Sequence, residues 1–523
     1  MYNAFHNHFC VLDRSDQYFI KDQCILTSQK HLYELSDSLP GAGYLPILGH
    51  IHWVIGGPEK IYKNIQRLGE LIEGTGGISK IWIGPSLYVV ISNPEDVQKL
   101  LETSLEKDSS YRFLRTWLGN GLFVAPLNLW KRQRRALVPI FANRVIEDYI
   151  EVFHNEAVTL VKQLDENLGK PEFDVFKHIT SCTLDISFET AMGEKMDLQH
   201  TADSAYLHAR NCVMSIINMR IFKPWMQPDA IFKLTPYSKT QEENIYLTRK
   251  FTEEVIAKRR IMHQNGIYKE GRKDLLELLL REDETKFNNK ELREHLDAIT
   301  IAGNDTTALT ISYTLLLLGM HQREQELVYK ELHEIFGDSK RTTTKEDLYK
   351  MEYLERVIKE TMRLYTVTPI IARETKSEVK LSSCTLPPGV ACIIPLFLIH
   401  RSKKLWGPDS ENFNPDRFLP ENSIDRHPCA YIPFSHGLRN CIGKKIRNAC
   451  NEMCSWKCVA KLQGDSKSLR PSENGNTFDS SFRASYKIRK KNLKLFLETD
   501  YNFFFLIKYK LQSLFYQIVN YFF

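Results

Sequence analysis

Pro433-Phe434-Ser435-His436-Gly437-Leu438-Arg439-Asn440-Cys441-Ile442-Gly443 is the stretch on which the reading of this 523-residue chain turns. A cysteine lies between two glycines, beside Arg439 and just ahead of Lys444 and Lys445. That setting is electropositive, and a helix beginning just after it would add backbone N–H groups that favour a thiolate. A thiolate there serves as a nucleophile or a metal ligand. The rival for any lone cysteine is a buried structural side chain, so the rest of the chain has to decide.

Upstream, Asn288 to Gln322 reads as one long helix. At its centre, Gly303-Asn304-Asp305-Thr306-Thr307 are five successive poor helix formers, costing roughly 3 kcal/mol relative to alanine. Ile299, Ile301, Leu309, Ile311 and Leu315–Leu318 mark the helix as buried. A carboxylate and hydroxyls at its middle are therefore expensive unless paired or used. Asp297, Asn304 and Asp305 interrupt it too often for a membrane span, and burial makes the Asn304-Asp305-Thr306 glycosylation pattern a false match. Glu360 and Arg363 lie three apart and share a helix face, which on its own is the spacing of a surface ion pair. Trp130-Lys131-Arg132-Gln133-Arg134-Arg135 sets four cations around an aromatic anchor, as in an anion or partner site or a solvated helix face.

The remaining sequence bounds the architecture. Hydrophobic residues make up 43% and charged residues 26%, near globular averages, which excludes disordered, collagen-like and coiled-coil chains. A net charge of +6 over this length gives no argument for nucleic acid. Eleven scattered cysteines without a C-x-x-C pair exclude a disulfide scaffold, a zinc ribbon or a thioredoxin-like site, and favour a reducing compartment. Residues 1–39 hold no apolar run longer than Phe9–Leu12, so a signal peptide or membrane anchor is not expected there. Turn-rich Pro40–Pro46 leads into a domain; a helix is expected at 59–73, strands at 78–83 and 87–91, and a helix from Pro94 to about 103. Helical pattern dominates 127–366, strands return at 369–383 and 390–395, and 402–433 carries little regular structure. These features predict a mainly α chain with small β regions in a single large domain. From 447 onward the pattern loses its apolar faces, 483–494 is a basic run, and the last 22 residues are compatible with an interfacial helix.

Taken in order, these pieces resemble the cytochrome P450 family of haem-thiolate monooxygenases. Phe434…Gly437…Arg439…Cys441…Gly443 matches its F-x-x-G-x-R-x-C-x-G loop, Ala302–Thr307 its [AG]-G-x-[DE]-T-[TS] turn, and Glu360–Arg363 its E-x-x-R. Asn414–Phe418 resembles its P-[ED]-R-F, Trp130…Arg134 its W-x-x-x-R, and Pro40–Gly49 its proline-rich hinge. The resemblance covers about 40–446, leaving 1–39 as an atypical N-terminal segment and 447–523 as a divergent tail. It implies haem b (iron protoporphyrin IX) as cofactor, with Cys441 as the axial iron ligand pushing electron density that favours O–O cleavage. It implies that Asp305 and Thr306 relay protons to dioxygen and that Gly303 leaves room for it. Trp130, Arg134, Arg439 and Arg373 would hold the propionates, with Phe434 beside the cofactor. Glu360, Arg363 and Arg417 would form a structural network.

The resemblance also implies partners: an NADPH–cytochrome P450 reductase docked on Lys131–Arg135, Lys444 and Lys445, cytochrome b5 as a further donor, a lipophilic substrate, and the membrane surface on the cytosolic face of the endoplasmic reticulum. Arg293–Leu296 with Ala302–Thr307, and Asp347–Tyr365, resemble insect members related to the fatty-acid ω-hydroxylase clan. Substrates of that branch are fatty acids, hydrocarbons, pheromone-like lipids and foreign compounds. Ala302 stands where some clan members carry a haem-linked Glu, so no such ester forms. Leu438 and Thr366 replace expected prolines, and the apolar helix expected after Lys445 is not evident, as a shifted reading frame would produce. Cys450, Cys454 and Cys458 form a stripe one ligand short of a zinc site. Three rivals stand: an oxygen-independent haem-thiolate isomerase or dehydratase, a hydrolase pairing Cys441 with His436, and a remnant unable to load haem. Specificity is expected from loops near 108–125 and 200–240, with Phe113, Trp117, Phe123 and Met214.

Overall fold

The structure is a computed structural model. It describes residues 32–468 apart from 46–47, 54–57, 142–143, 167–173, 202–203, 268–272, 283–286, 338 and 340; for helical residues 58–62, 144–146, 282 and 461–468 only the backbone is described. Most of 1–39, the basic run and the final aromatic stretch lie outside the described residues.

Helix α1 spans Pro58–Gly74, β1 Ile78–Ile83, β2 Ser86–Ile91 and α2 Pro94–Thr103. Asn93 caps α2, accepting from the N–H of Glu95 at 2.9 Å, and Pro94 supplies the preset first turn. Strand β3 (Glu106–Lys107) precedes α3 (Arg112–Leu118), α4 (Leu127–Leu137), α5 (Arg144–Asp165), α6 (Val175–Met192), α7 (Ala205–Phe222), α8 (Pro236–Gln264) and α9 (Asn289–Met320). Then come α10 (Gln322–Phe336), α11 (Glu352–Leu364), β4 (Ile371–Glu374), β5 (Val379–Lys380), β6 (Thr385–Leu386), β7 (Ala391–Ile394) and α12 (Lys444–Ser468). The five-stranded sheet has the order β1-β2-β7-β4-β3, and β5 pairs with β6. The helix expected at 59–73, the strands expected at 78–83 and 87–91 and the helix expected from Pro94 are observed, and 402–433 contains only short helical turns.

Helix α9 is the axis, packed against α6, α8, α11 and α12. Its polar centre does not break it. Gly303 admits α6 so closely that a Cβ there would lie 3.3 Å from Ser187 Oγ. Asn304 Nδ2 donates to the Thr180 carbonyl and to Thr183 Oγ1, both at 2.9 Å, so the residue that weakens the helix also fastens it to α6.

The region after 446 departs from expectation. Instead of losing its apolar face, α12 buries Ala449, Cys450, Met453, Cys454, Trp456, Cys458 and Val459 in the core of α5, α6, α10 and α11. Free cysteines pack as small hydrophobes, which a reading based on Leu, Ile and Phe misses. Trp456 stacks on Phe336 at 4.1 Å between ring centroids. Cys454 hydrogen-bonds with Cys182 and Cys450, and among the described residues no group of ligands suits a metal ion.

The same helix buries polar atoms that nothing satisfies. Asn451 is fully buried with both amide atoms lacking a partner, and buried Ser455 Oγ lacks one as well. Burial, reinforced by Glu355, pushes the Glu452 carboxyl up to about 8. Replacing an unsatisfied buried amide by an apolar group of similar size removes a desolvation cost of about 1–3 kcal/mol. Asn451→Leu is therefore expected to stabilise the chain by that order in denaturant unfolding. Glu452 binds a proton in the folded state that the unfolded chain releases above its ordinary carboxylate range, so its contribution is complete at acid pH and is lost as pH rises towards 8. Between pH 5 and 8 the wild-type chain should lose about 3–4 kcal/mol relative to Glu452→Gln, measured by unfolding across that range.

Candidate functional site: the cavity between Cys441 and helix α9

The cysteine loop is built by three constraints. The Cys441 N–H donates to the Phe434 carbonyl at 2.9 Å, closing the loop on itself. Gly437 adopts φ +72°, and a Cβ there would meet the Leu101 carbonyl at 2.6 Å, so only glycine fits. Arg134 donates to the Asn440 carbonyl at 3.0 Å and to Asn440 Oδ1 at 2.7 Å, pinning the loop to α4. Helix α12 starts three residues after Cys441.

Behind the loop lies a network with no exposure. Arg363 donates to both Glu360 carboxylate oxygens at 2.7 Å, and to the carbonyls of His400, Ser410 and Asn412. Arg417 Nε stands 3.6 Å from Glu360. His400 Nε2 accepts from the Ile432 N–H at 3.0 Å, and its Nδ1 pairs with Thr366 Oγ1 at 3.0 Å. Burial holds this imidazole neutral, down to about 3. Thr366, standing where proline was expected, thus has a partner of its own.

Across the cavity stand Ala302, Gly303, Thr306 and Thr307 of α9, facing Cys441, Gly443, Ile446 and Arg447. Thr306 Oγ1 donates to the Ala302 carbonyl at 2.8 Å. Asp305 is not on this lining. It is ion-paired with Arg210 of α7, a side chain only 4% exposed. Phe113 and Trp117 of α3 are buried beside Val213, Ile217 and Ile301, with Met214 packed against them, whereas Phe123 is exposed.

Around Arg439 of the cysteine loop, basic side chains gather with little counter-charge. Register pairing of β3 with β4 places Lys107 opposite Arg373. Arg439 lies over the Trp130 ring at 4.6 Å and donates to the Ala125 carbonyl at 2.6 Å, leaving its Nε and Nη1 buried and unpartnered. Arg373 Nε is likewise orphaned. Burial, then the charges of Arg373, Arg439 and Arg115, press the Lys107 pKa far below that of an ordinary amine. Among the described residues, Arg115 alone of the four has a carboxylate within ion-pair distance, Glu106 at 4.0 Å, and the same carboxylate also acts on Arg439. Buried cations facing one another require an anion, and a dicarboxylate group matches the orphaned donors. Of this cluster, Lys107 and Arg115 were not legible in the sequence; the β3–β4 register is what brings Lys107 in. Arg134 was expected among the anion-holding groups, but its bonds here are to Asn440.

His436 pairs with Glu102 at 3.3 Å, and no hydrogen bond joins it to Cys441 among the described residues. The cysteine hydrolase reading therefore loses its base.

A mainly helical domain with a cysteine loop set across a cavity from a long distal helix defines a haem-thiolate class of protein. The family model for cytochrome P450 matches residues 39–453, and the chain belongs to that family. It is 35% identical to cytochrome P450 4c3 of Drosophila melanogaster over 440 residues, covering 80% of this chain and 82% of the relative. It is 37% identical to human cytochrome P450 4V2 over 383 residues (70% and 73%), and 32% identical to cytochrome P450 4c21 of Blattella germanica over 422 (78% and 84%). The family makes this chain a haem-dependent monooxygenase, with haem and O2 in its chemistry and electrons supplied by a reductase.

Removing one of the crowded cations should act oppositely on the two forms. Arg373→Gln is expected to weaken haem retention about tenfold, by loss of a charge-assisted bond, while raising the melting temperature of the haem-free chain by relieving repulsion. Haem transfer to an apo-globin acceptor, together with calorimetry of the haem-free protein, checks both.

Proposed function

We propose that this chain inserts one oxygen atom of O2 into a lipophilic substrate, a fatty acid, hydrocarbon, pheromone-like lipid or foreign compound, at the cytosolic face of the endoplasmic reticulum membrane. The observation that carries the reading is the cavity, with Cys441 on one wall and Gly303 and Thr306 on the other. Bound there through Cys441, haem would supply the redox chemistry that activates dioxygen.

The chain's own residues do the rest. Arg439, Arg373 and Lys107 hold the propionates, with Trp130 backing Arg439. Phe434 closes the loop that fixes Cys441. Gly303 keeps the distal wall open. Thr306, on the cavity lining, passes a proton inwards, and Asp305, ion-paired with Arg210, relays it from the α7 side. Glu360, Arg363 and Arg417 keep the loop in place and take no part in chemistry. Phe113, Trp117, Met214 and Ile301 form a greasy wall against which an apolar substrate packs.

Exposed Lys131, Arg132, Arg135, Lys444 and Lys445 offer a basic face to an acidic donor, the NADPH-dependent reductase, with cytochrome b5 as a second donor. Among the described residues no helix is long and apolar enough to cross a membrane. We also place the haem domain at 40–446 at least, with α12 extending its packed part beyond that, and the C-terminal tail outside it.

The readings in which the chain takes up no haem, or uses it without oxygen, are separated by one experiment. The full chain, reduced and exposed to carbon monoxide, should give the red-shifted Soret band of thiolate ligation, and Cys441→Ser should abolish it. Oxygen-dependent NADPH use with a reductase then distinguishes the monooxygenase from an isomerase. A histidine-type band, or no haem, defeats the proposal.

A further inference from the structure

Arg447 lies in the first turn of α12, where the resemblance leads one to expect an apolar residue, and it lines the cavity together with Cys441, Gly443 and Ile446. Its guanidinium sits over the Phe434 ring, 4.4 Å from the centroid, and Phe434 is the residue whose carbonyl closes the cysteine loop. Its other contacts are weak. Nη2 is 3.4 Å from Thr310 Oγ1 and 3.2 Å from Met362 Sδ, and Nε is buried without a hydrogen bond. Among the described residues no carboxylate lies within ion-pair distance of it. Burial draws its pKa down, and the charge of Cys441 is the first influence that draws it back up. A cation in such a place is costly unless an anion compensates it. The negative group that the site itself offers is the cysteine sulfur.

We infer that Arg447 is a positioning residue for the Cys441 thiolate, holding part of its negative charge on sulfur and so limiting how much the sulfur donates to the iron it ligates. This rests on the reading that Cys441 binds haem. Arg134 also feels the Cys441 charge, but its guanidinium is committed to Asn440. Arg447 has no comparable ionic commitment, lines the same cavity as Cys441 and feels its charge, whereas Lys444 and Lys445 of the same turn are exposed. The chemistry is electrostatic and involves no covalent step.

The test is spectroelectrochemical titration of the haem-loaded full chain. Arg447→Gln removes the charge and keeps a polar side chain; Arg447→Lys keeps the charge. Loss of a positive charge beside the ligand disfavours the reduced form, so Arg447→Gln should shift the ferric–ferrous equilibrium about tenfold towards ferric, ~59 mV for one electron. Arg447→Lys should stay near wild type. Arg447→Met, which also keeps a long stem, is measured in place of the glutamine variant if the latter does not fold, and the same shift is expected. An unchanged potential in the neutral variant, or an equal fall in Arg447→Lys, overturns the inference and leaves Arg447 as packing beneath Phe434. A wild-type chain that takes up no haem overturns the monooxygenase reading itself, an outcome visible before any variant is compared.

Discussion

The bidentate pair between Arg363 and Glu360 is the contact on which the site depends. Both side chains are wholly removed from solvent, and the remaining donors of Arg363 are spent on carbonyls at 400, 410 and 412. A long segment with little regular structure is thereby fixed at several points to one helix. His400 passes the constraint to Ile432, two residues before Phe434, and Phe434 closes the turn that presents Cys441. Breaking a buried pair of this kind costs about 3–5 kcal/mol, because the surviving charge has no water to return to. The pair's value lies in specifying one arrangement of a loop that has no secondary structure to specify it.

A second principle runs through the site: polar groups are placed where the protein alone cannot satisfy them. Arg439, Arg373 and Lys107 are buried and mutually repelling, an arrangement that a self-contained domain would not tolerate. Pre-set charges aimed at an absent partner are the mark of a binding site, since their cost is recovered when the partner arrives. The distal wall works differently. There Thr306 and Asn304 turn their polar atoms back onto helix and neighbour, so the lining stays mostly apolar.

Helix α12 joins the two themes. Its cysteines and Trp456 join the core, yet Asn451 and Ser455 bury groups with no partner, and Glu452 has only the charge of Lys359 to offset its desolvation. The helix is thus a packed element carrying part of a sequence that suits a wetter place. Arg447 belongs to the same stretch, and the cavity gives it a use that Asn451 lacks.

The order of helices and strands, the cysteine turn, the polar centre of α9 and the Glu360–Arg363 face are all legible along the chain. Each is set by residues within a few positions of one another, where spacing and backbone preference act directly. Glycine at 437, the Asn93-Pro94 start of α2 and the three-residue spacing of Glu360 and Arg363 needed no partner from elsewhere to be recognised. Which charges stand alone is settled by packing between distant segments. Asp305 reads the same in sequence whether it faces the cavity or Arg210, ninety-five positions away. Lys107 becomes part of the cationic cluster because an antiparallel register sets it opposite Arg373, and the face of α12 became legible only once cysteine was seen to pack as a hydrophobe. Counter-charge and burial are properties of a volume, and a linear chain does not carry them until it folds.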